Sequence, residues 1–206
     1  MYEVLPDVFL FRNVISISDQ IALFDFYNYH KDNFYIPKLR TGKQMSVMMN
    51  CFGRHWNAKT YRYSPSRDDI DGKPVSSYPE GFDHIFKPLS IAAFPKYDPS
   101  WDICICNHYT IGISKLGTHQ DNSESSSTMT SGHPVVSLSI GASCVFTLGK
   151  TGQDKKILLN GGDVILFGGQ NRMIYHGVAK VMDNDYPMRE IFHNNIGRLN
   201  FTFRKM

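Results

Sequence analysis

Three side chains of the metal-binding type stand in an ordered pattern. His119 and Asp121 are two positions apart, and His176 follows much later in the chain. On an extended segment, residues at i and i+2 point to the same side. Two histidines and one carboxylate on one face of a metal leave positions open for further ligands, as in non-haem Fe(II) sites. The pattern predicts such a centre, although a chain with eight histidines also allows ordinary surface or core residues.

The end of the chain carries a second pattern that strengthens the first. Between 198 and 204 polar and apolar residues alternate, so that in a β-strand the polar side chains share one face. Two of them are arginines, whose guanidinium groups bind a carboxylate through paired hydrogen bonds. Beside an Fe(II) site, this favours a clamp for the dicarboxylate 2-oxoglutarate over a merely solvated strand face. The polar residues are Arg198, Asn200, Thr202 and Arg204.

Positive charge is concentrated in one stretch, from Lys38 to Arg67. It contains seven lysines and arginines and no acidic residue, whereas the whole chain has a net charge of +3. Cations at this density suit a polyanion, and aromatic rings among them can stack on unpaired bases. The stretch therefore favours a nucleic-acid surface; the alternative is a peripheral sheet whose aromatic residues belong to the core. These aromatic residues are Phe52, Trp56, Tyr61 and Tyr63.

Several other classes of protein are disfavoured. Gly149-Lys150-Thr151 resembles the end of a phosphate-binding P-loop, but Cys144 stands where the motif needs its earlier glycine, so we interpret the triplet as a turn. The four cysteines form no C-x-x-C pair, and we expect reduced thiols in a cytoplasmic protein. The first residues lack a signal-peptide pattern, and no apolar stretch is long enough to span a membrane.

The elements that must position these residues change in type along the chain. We expect a helix from about Ser18 to Tyr29 and a second from Pro79 to Phe94, with a kink or break at Pro88. Residues 37–80 indicate short strands and loops. From Trp101 onwards, about seven short strands indicate a sandwich or barrel within one domain of 206 residues. The expected strands are 103–109, 134–141, 143–149, 157–159, 163–167, 173–178 and 199–203, with Asn160-Gly161-Gly162 as a hairpin turn and 123–131 as a loop.

Taken together, these stretches resemble the AlkB family of Fe(II)- and 2-oxoglutarate-dependent nucleic-acid dealkylases. The resemblance extends over most of the chain, and the closing R-x-N-x-T-x-R pattern after H-x-D and His is its most specific part. The matching stretches are Met45-Ser-Val47, Tyr61-Arg-Tyr-Ser-Pro65, Asn107-His-Tyr109, His119-Gln-Asp121, Val136-Ser-Leu-Ser-Ile-Gly141, Gly162-Asp-Val164, Tyr175-His-Gly177 and Arg198-Leu-Asn-Phe-Thr-Phe-Arg204.

The resemblance implies a mainly β (α+β) fold. Its core would be a double-stranded β-helix, or jelly roll, at about 101–206. The N-terminal helices would precede it, and a nucleotide-recognition lid at about 37–80 would cover the iron.

The resemblance also implies roles for individual residues. Arg198 would bind the far carboxylate of 2-oxoglutarate with the help of Tyr109, and Arg204 would lie near the iron-bound end, close to Asp121. Trp56 would stack on the damaged base against His119. Further cosubstrate contacts would be Asn107 and Asn200, and further substrate contacts Tyr61, Met49, Ser123 and Glu124.

Two departures from the family pattern concern the choice of base. An acidic residue that contacts the exocyclic amino group of the base in well-known base-repair members is replaced here by Ser123, with Glu124 next to it. A tryptophan expected near the pocket corresponds to Phe167. The loop after Glu124 is also longer than usual. The iron chemistry is unaffected by these changes, whereas the base preference is left open.

The activity that the resemblance implies is oxidative dealkylation of bases such as 1-methyladenine or 3-methylcytosine, in DNA or RNA. Fe(II) would be the cofactor, and 2-oxoglutarate and O₂ would be consumed. The products would be succinate, CO₂ and formaldehyde. A duplex substrate would have to flip its base out of the stack. The alternatives are an AlkB-like oxygenase for RNA marks or a non-nucleic-acid substrate, and an inactive binding protein. We expect a monomer without a membrane partner.

Overall fold

The computed structural model describes residues 1–183, 189–190 and 197–206. Two antiparallel sheets dominate these ranges. In spatial order, the seven-stranded sheet contains β1 (Tyr2–Leu5), β2 (Val8–Phe11), β11 (Val164–Phe167), β8 (Val135–Gly141), β13 (Arg198–Arg204), β6 (Ile103–Tyr109) and β3 (Met48–Phe52). The four-stranded sheet contains β10 (Lys155–Leu159), β9 (Cys144–Leu148), β12 (His176–Val181) and β7 (Leu116–His119).

The two sheets form a jelly roll around one main hydrophobic core. Leu138 and Phe201 of the larger sheet and Phe146 and Val178 of the smaller sheet are buried in the same cluster. Burial of apolar side chains between facing sheets is the main stabilising contribution in such a sandwich. The expected jelly-roll fold is therefore confirmed.

Three α-helices accompany the sheets in the described part of the chain. The first, α1 (Ile17–His30), begins earlier than expected because the Ser16 hydroxyl accepts a hydrogen bond from the Asp19 amide at 3.1 Å. The second, α2 (Asp83–Ala93), follows a separate 3₁₀ turn at Glu80–Phe82, so the predicted helix is divided near its start. It is not divided at Pro88, which lies inside α2.

A third helix stands where a loop was expected. The short α3 (Ser126–Ser131) occupies part of 123–131, so the loop prediction was wrong there. The Ser125 hydroxyl accepts from the Thr128 amide at 3.2 Å, and Gly132 ends the helix with a φ of +81°. Serine and threonine are poor helix formers inside a helix but good caps, which is why the composition pointed to a loop.

The predicted hairpin at Asn160–Gly162 is wrong. β10 pairs with β9 in the smaller sheet, whereas β11 pairs with β8 and β2 in the larger sheet. The turn therefore carries the chain from one sheet to the other. Gly161 allows a close approach here, since a Cβ on it would lie 2.6 Å from the Gly141 carbonyl oxygen. The residue types of a turn indicate that the chain reverses direction, but they do not indicate whether the two strands that it joins pair with each other.

The other strands follow the predictions with local shifts. β6 has the predicted bounds, and Cys104 and Cys106 lie on one face of it in the main core, as alternation requires. β12 begins at His176 rather than Met173, because its pairing with β7 starts there. The sequence prediction missed β1 and β2, whose short apolar runs carry no clear alternation, and also β7.

Residues 37–80 form short strands and loops at one edge of the larger sheet, as predicted. β3 joins that edge beside β6, and β4 (His55–Asn57) and β5 (Arg62–Ser64) form a separate two-stranded hairpin. We call β4, β5 and the turn between them the lid hairpin. His55 is fully buried, and its Nε2 connects the lid hairpin to the following loop through a hydrogen bond with Asp69 Oδ1 at 2.5 Å.

One core cluster combines residues from Val8 to Phe203. We therefore propose that 1–206 is a single domain, with 37–80 as its lid and 101–206 as its jelly-roll core. Within the described ranges, no helix has both the length and the apolar character needed to cross a bilayer. All four cysteines are buried and carry free thiols.

Candidate active site

The three predicted metal ligands come together at one end of the smaller sheet. His119 ends β7 and His176 begins β12, and the two residues are directly opposite in the antiparallel register. Asp121 follows β7 by two residues. Its two carboxylate oxygens lie 3.7 Å from the Nε2 atoms of His119 and His176 respectively. One ligand atom from each residue lies within 4.8 Å of the others, which is the arrangement that a shared metal ion requires.

Both histidines are oriented by backbone carbonyls. Nδ1 of His119 lies 3.0 Å from the Gly117 oxygen, and Nδ1 of His176 lies 3.0 Å from the Ile174 oxygen. When Nδ1–H donates to a carbonyl, Nε2 keeps its lone pair for a metal. Burial, with a smaller contribution from His119, lowers the pKa of His176 to about 4. Near neutral pH, His176 is therefore in the uncharged form that binds metals.

Asp121 is kept ionised by its surroundings. Burial raises the pKa of its carboxyl group, but the positive charge of Arg204 opposes this effect and, with smaller contributions from the neighbouring side chains, brings the pKa well below the usual range. Nη2 of Arg204 lies 2.8 Å from Asp121 Oδ2. Arg204 therefore stands beside the carboxylate of Asp121, as the resemblance implied.

A buried pocket runs from these ligands to Arg198. Arg198 is 1% exposed, and its Nε and Nη1 atoms have no hydrogen-bond partner among the described residues. Tyr109 is the cross-strand neighbour of Arg198, which lies 5.9 Å from the centre of the tyrosine ring. Buried unpaired arginine donors are costly, so this site is shaped for an anionic group. The pocket wall also contains Phe146, Phe167, Ser137 and Val178.

The two predicted asparagines face one another across β6 and β13 but differ in their availability. Asn200 donates through Nδ2 to Ser137 Oγ at 2.7 Å and to the Leu138 oxygen at 2.9 Å, so its donors are used within the wall. The Oδ1 atom of Asn107 is buried without a hydrogen-bond partner among the described residues. Asn107 is therefore better placed than Asn200 to contact a bound molecule.

A wide groove of about 1200 Å³ opens above the metal ligands, between the lid hairpin and the smaller sheet. Trp56 and Tyr61 of the lid, with ring centres 5.9 Å apart, and Met49 of β3 line it together with His119. Tyr61 is 46% exposed and has a φ of +57°, a strained conformation for a bulky residue.

Ser123 and Glu124 lie in the groove wall but face different partners. The Ser123 hydroxyl accepts a hydrogen bond from Trp56 Nε1 at 3.0 Å and so connects the metal-binding segment to the lid ring. The Glu124 side chain is 1% exposed and forms ion pairs with Arg172 at 3.1 Å and Arg204 at 3.4 Å. Ser123 is thus the nearer of the two to Trp56, on which the base would stack.

Arg172 is a site residue that the sequence analysis missed. It is almost fully buried, and its Nη1 donates to the Asp121 backbone oxygen at 2.8 Å. A single arginine after a glycine-rich turn carries no recognisable signal. Its importance arises only when the fold brings it against the metal-binding segment.

The basic stretch is divided by the structure. Six of its seven cations are exposed, but Arg67 is buried, pairs with Asp71 at 3.2 Å and lies over the Tyr35 ring. Two lysines from outside the stretch, Lys115 and Lys156, line the same groove as Lys43. The cationic surface around the groove is therefore built from several parts of the chain.

The residues present fit the expected cofactor and cosubstrate. Two imidazole nitrogens and a carboxylate suit Fe(II), and the two guanidinium nitrogens of Arg198 that lack a partner among the described residues suit the far carboxylate of 2-oxoglutarate. A second group, His55, Asp68 and Asp69, is less suitable for a metal. Both ring nitrogens of His55 already have partners, Asp69 at 2.5 Å and the Tyr35 hydroxyl at 3.3 Å.

Comparison with known proteins agrees with this geometry. The model of the 2OG-Fe(II) oxygenase superfamily matches residues 7–204. The AlkB dioxygenase of Salmonella typhimurium is 34% identical, over 80% of this chain and 73% of its own length. The solved structure of OsALKBH1 has a TM-score of 0.89 and 32% identity, covering 100% of this chain and 99% of its own.

A further relative is longer than this chain. The DNA N(6)-methyladenine demethylase ALKBH1C of Arabidopsis thaliana is 33% identical, over 97% of this chain but 48% of its own length. This chain thus spans about half of that relative. Fe(II), 2-oxoglutarate and O₂ are the cofactor and cosubstrates of the matched superfamily, for which the His119–Asp121–His176 group and the pocket of Arg198 are suited. The chain belongs to the AlkB family within the 2OG-Fe(II) oxygenase superfamily.

Proposed function

We propose that this chain is an Fe(II)- and 2-oxoglutarate-dependent dioxygenase that removes N-linked alkyl groups from nucleic-acid bases. The observation that carries the proposal is the position of the metal ligands, which lie between a buried arginine pocket on one side and an aromatic, cation-rimmed groove on the other. The iron with its cosubstrates supplies the oxidising chemistry when bound. In the overall reaction the N-methyl carbon leaves as formaldehyde, and 2-oxoglutarate gives succinate and CO₂.

The protein's own contribution is binding and orientation. His119, Asp121 and His176 would hold the metal, whose remaining coordination positions would be open to the cosubstrates. Arg198 binds the far carboxylate of 2-oxoglutarate, with Tyr109 packed beside it. Apolar side chains at the pocket, Phe146 and Phe167, limit the access of water.

The groove is suited to a base that has left its stack. Trp56 offers a ring for stacking, and Ser123 holds the indole through its Nε1 atom. Tyr61 and Met49 complete the same wall. A duplex base would have to flip into this groove, which requires less energy for a damaged, weakly paired base.

Cations around the groove are suited to the phosphates of the strand. Lys43, Lys115 and Lys156 are exposed on its rim. They come from the lid, the segment before β7 and strand β10 respectively. Positive charge on both sides of the groove supports a nucleic acid as partner over a small neutral substrate.

DNA and RNA are both compatible with this chemistry. The names of relatives favour methylated DNA, since the Arabidopsis thaliana protein is named for N(6)-methyladenine in DNA. The second candidate is an AlkB-like oxygenase for RNA marks, because stacking and phosphate contacts do not by themselves distinguish the two nucleic acids.

We propose further that the protein acts as a monomer in the cytoplasm. A single chain brings the three metal ligands and the pocket of Arg198 together, so the proposed activity does not require a second copy. Support for a reducing compartment comes from the four buried free thiols. Size-exclusion chromatography with light scattering tests the first point, and fractionation of the source cells tests the second.

The proposed activity is tested on a panel of DNA and RNA oligonucleotides that carry 1-methyladenine, 3-methylcytosine or N6-methyladenine. Mass spectrometry measures the loss of the methyl group with iron, ascorbate and 2-oxoglutarate present. We expect loss from at least one oligonucleotide, together with more succinate than forms without nucleic acid. Succinate formation without demethylation of any panel member would contradict the nucleic-acid assignment.

A further inference from the structure

Glu124 is a buried carboxylate whose two oxygens are both in use. Oε1 accepts a hydrogen bond from the Tyr63 hydroxyl at 3.2 Å and lies 3.4 Å from Arg204 Nε. Oε2 lies 3.1 Å from Arg172 Nη2. The side chain is 1% exposed. Because the side chain has almost no exposed surface, a base amino group could reach Glu124 only if the residues packed around this buried charge moved, which is unfavourable.

The same two arginines also hold the metal-binding aspartate. Arg204 reaches the Asp121 carboxylate through Nη2 at 2.8 Å, and Arg172 reaches the Asp121 backbone oxygen through Nη1 at 2.8 Å. Asp121 and Glu124 are therefore joined by two separate arginine bridges, one to the side chain of Asp121 and one to its backbone. We call Asp121, Glu124, Arg172 and Arg204 the arginine clamp.

The lid hairpin is attached to this clamp through Tyr63. Tyr63 belongs to β5, and burial raises the pKa of its hydroxyl well above the usual value, so that the group stays protonated and donates to Glu124. Trp56 lies on the partner strand of the same hairpin, opposite Tyr63 in the register. The hairpin that carries Trp56 is thus connected through Tyr63 to the arginine clamp around Asp121.

We infer that Glu124 is a positioning residue of the metal centre, which fixes Arg172 and Arg204 around Asp121 and anchors the lid hairpin through Tyr63, and that it does not contact the base. This positioning role of Glu124 goes beyond the proposed function and rests on it only for the assignment of the metal site. The partners of a metal ligand typically change metal affinity by about 10- to 100-fold when they are removed.

The test uses the full chain with Glu124→Gln, which keeps the shape of the side chain and removes its charge. Co(II) is titrated into the metal-free protein, and its visible absorption reports both affinity and ligand geometry. We expect Co(II) binding at least about tenfold weaker than in the wild type, with a changed spectrum. Glu80→Gln, at an exposed glutamate on the turn before α2, is the matched control and should leave both unchanged.

Binding of a methylated oligonucleotide to the metal-free protein separates the two roles of Glu124. If Glu124→Gln kept the wild-type Co(II) affinity and spectrum but lost oligonucleotide affinity, Glu124 would be a base contact and the inference would be wrong. If His176→Ala bound Co(II) as tightly as the wild type, the metal site itself, and with it the proposed function, would be wrong instead.

Two further variants keep the test decisive if Glu124→Gln does not fold. Arg172→Lys retains the charge but cannot bridge the Asp121 oxygen and Glu124 together, and should also weaken Co(II) binding. Tyr63→Phe removes only the hydroxyl, and should increase amide hydrogen exchange in 55–64 more than in β13. Unchanged Co(II) affinity in Arg172→Lys, or unchanged exchange in Tyr63→Phe, would overturn the corresponding part of the inference.

Discussion

His119 and His176 are directly opposite one another in the β7–β12 pair, with ring centres 4.4 Å apart. The distance follows from antiparallel pairing, which brings the side chains of facing residues close together on one side of a sheet. Gly177, next to His176, is required for this approach, since a Cβ there would lie 2.8 Å from the Leu116 carbonyl oxygen. Two residues far apart in the chain thus form one side of the metal site.

Loss of one histidine should abolish turnover. His176→Ala removes a ligand that the protein holds in its uncharged, metal-binding form, so we expect no iron-dependent decarboxylation of 2-oxoglutarate. Release of CO₂ from labelled 2-oxoglutarate is the measurement. His84→Ala, at an exposed histidine away from the site, should retain activity. Turnover by His176→Ala close to the wild-type rate would contradict the assignment of this ligand.

Arg198→Lys should raise the KM for 2-oxoglutarate by about 10- to 100-fold, because a charge-assisted hydrogen bond contributes about 1.5–3 kcal/mol and lysine cannot replace the paired geometry. Steady-state kinetics with varied 2-oxoglutarate is the measurement. Arg54→Lys, at an exposed arginine, is the control. An unchanged KM in Arg198→Lys would show that the far carboxylate binds elsewhere.

Trp56→Ala should weaken binding of a methylated oligonucleotide by about 1–3 kcal/mol, the usual contribution of one stacked base. Decarboxylation of 2-oxoglutarate without nucleic acid should persist, because Trp56 lies outside the pocket of Arg198. Fluorescence anisotropy and the CO₂ assay measure the two effects. Tyr29→Ala, at an aromatic residue that is 84% exposed, controls for loss of an exposed ring. If both properties fell together in Trp56→Ala, the lid assignment would be wrong.

Neutralising the lysines on the groove rim should reduce the salt dependence of binding. For single-stranded nucleic acid, each phosphate contact contributes about 0.7 to the slope of log affinity against log salt. Lys43→Gln, Lys115→Gln and Lys156→Gln should therefore each flatten the slope by about that amount, without altering base preference. Lys96→Gln, at an exposed lysine outside the groove, should leave it unchanged. Equal slopes for all four variants would place the strand elsewhere.

The strands of the jelly roll were largely predictable because alternation is a local property. β13 has one face of apolar side chains and β6 begins with a continuous apolar run, and both extend nearly as these patterns indicate. The partner of each strand was not predictable. Asn160–Gly162 has the composition of a hairpin turn, yet Asp163 binds Asn160 N at 2.9 Å and Arg12 at 2.6 Å, and the turn connects two different sheets.

The sequence by itself determined the candidate residues: the three metal ligands, the arginine proposed to bind a carboxylate and the aromatic residues proposed for the lid, because residue type and short spacing suffice to recognise them. Only the tertiary structure decided how these groups act on one another. In the sequence Glu124 is only a neighbour of the metal ligands, whereas in the structure it is a buried ion-pair partner of Arg172, which the sequence analysis did not identify. Burial and long-range contacts of this kind depend on the packing of strands and turns that are distant in the chain. Their effect on the metal centre follows from that packing.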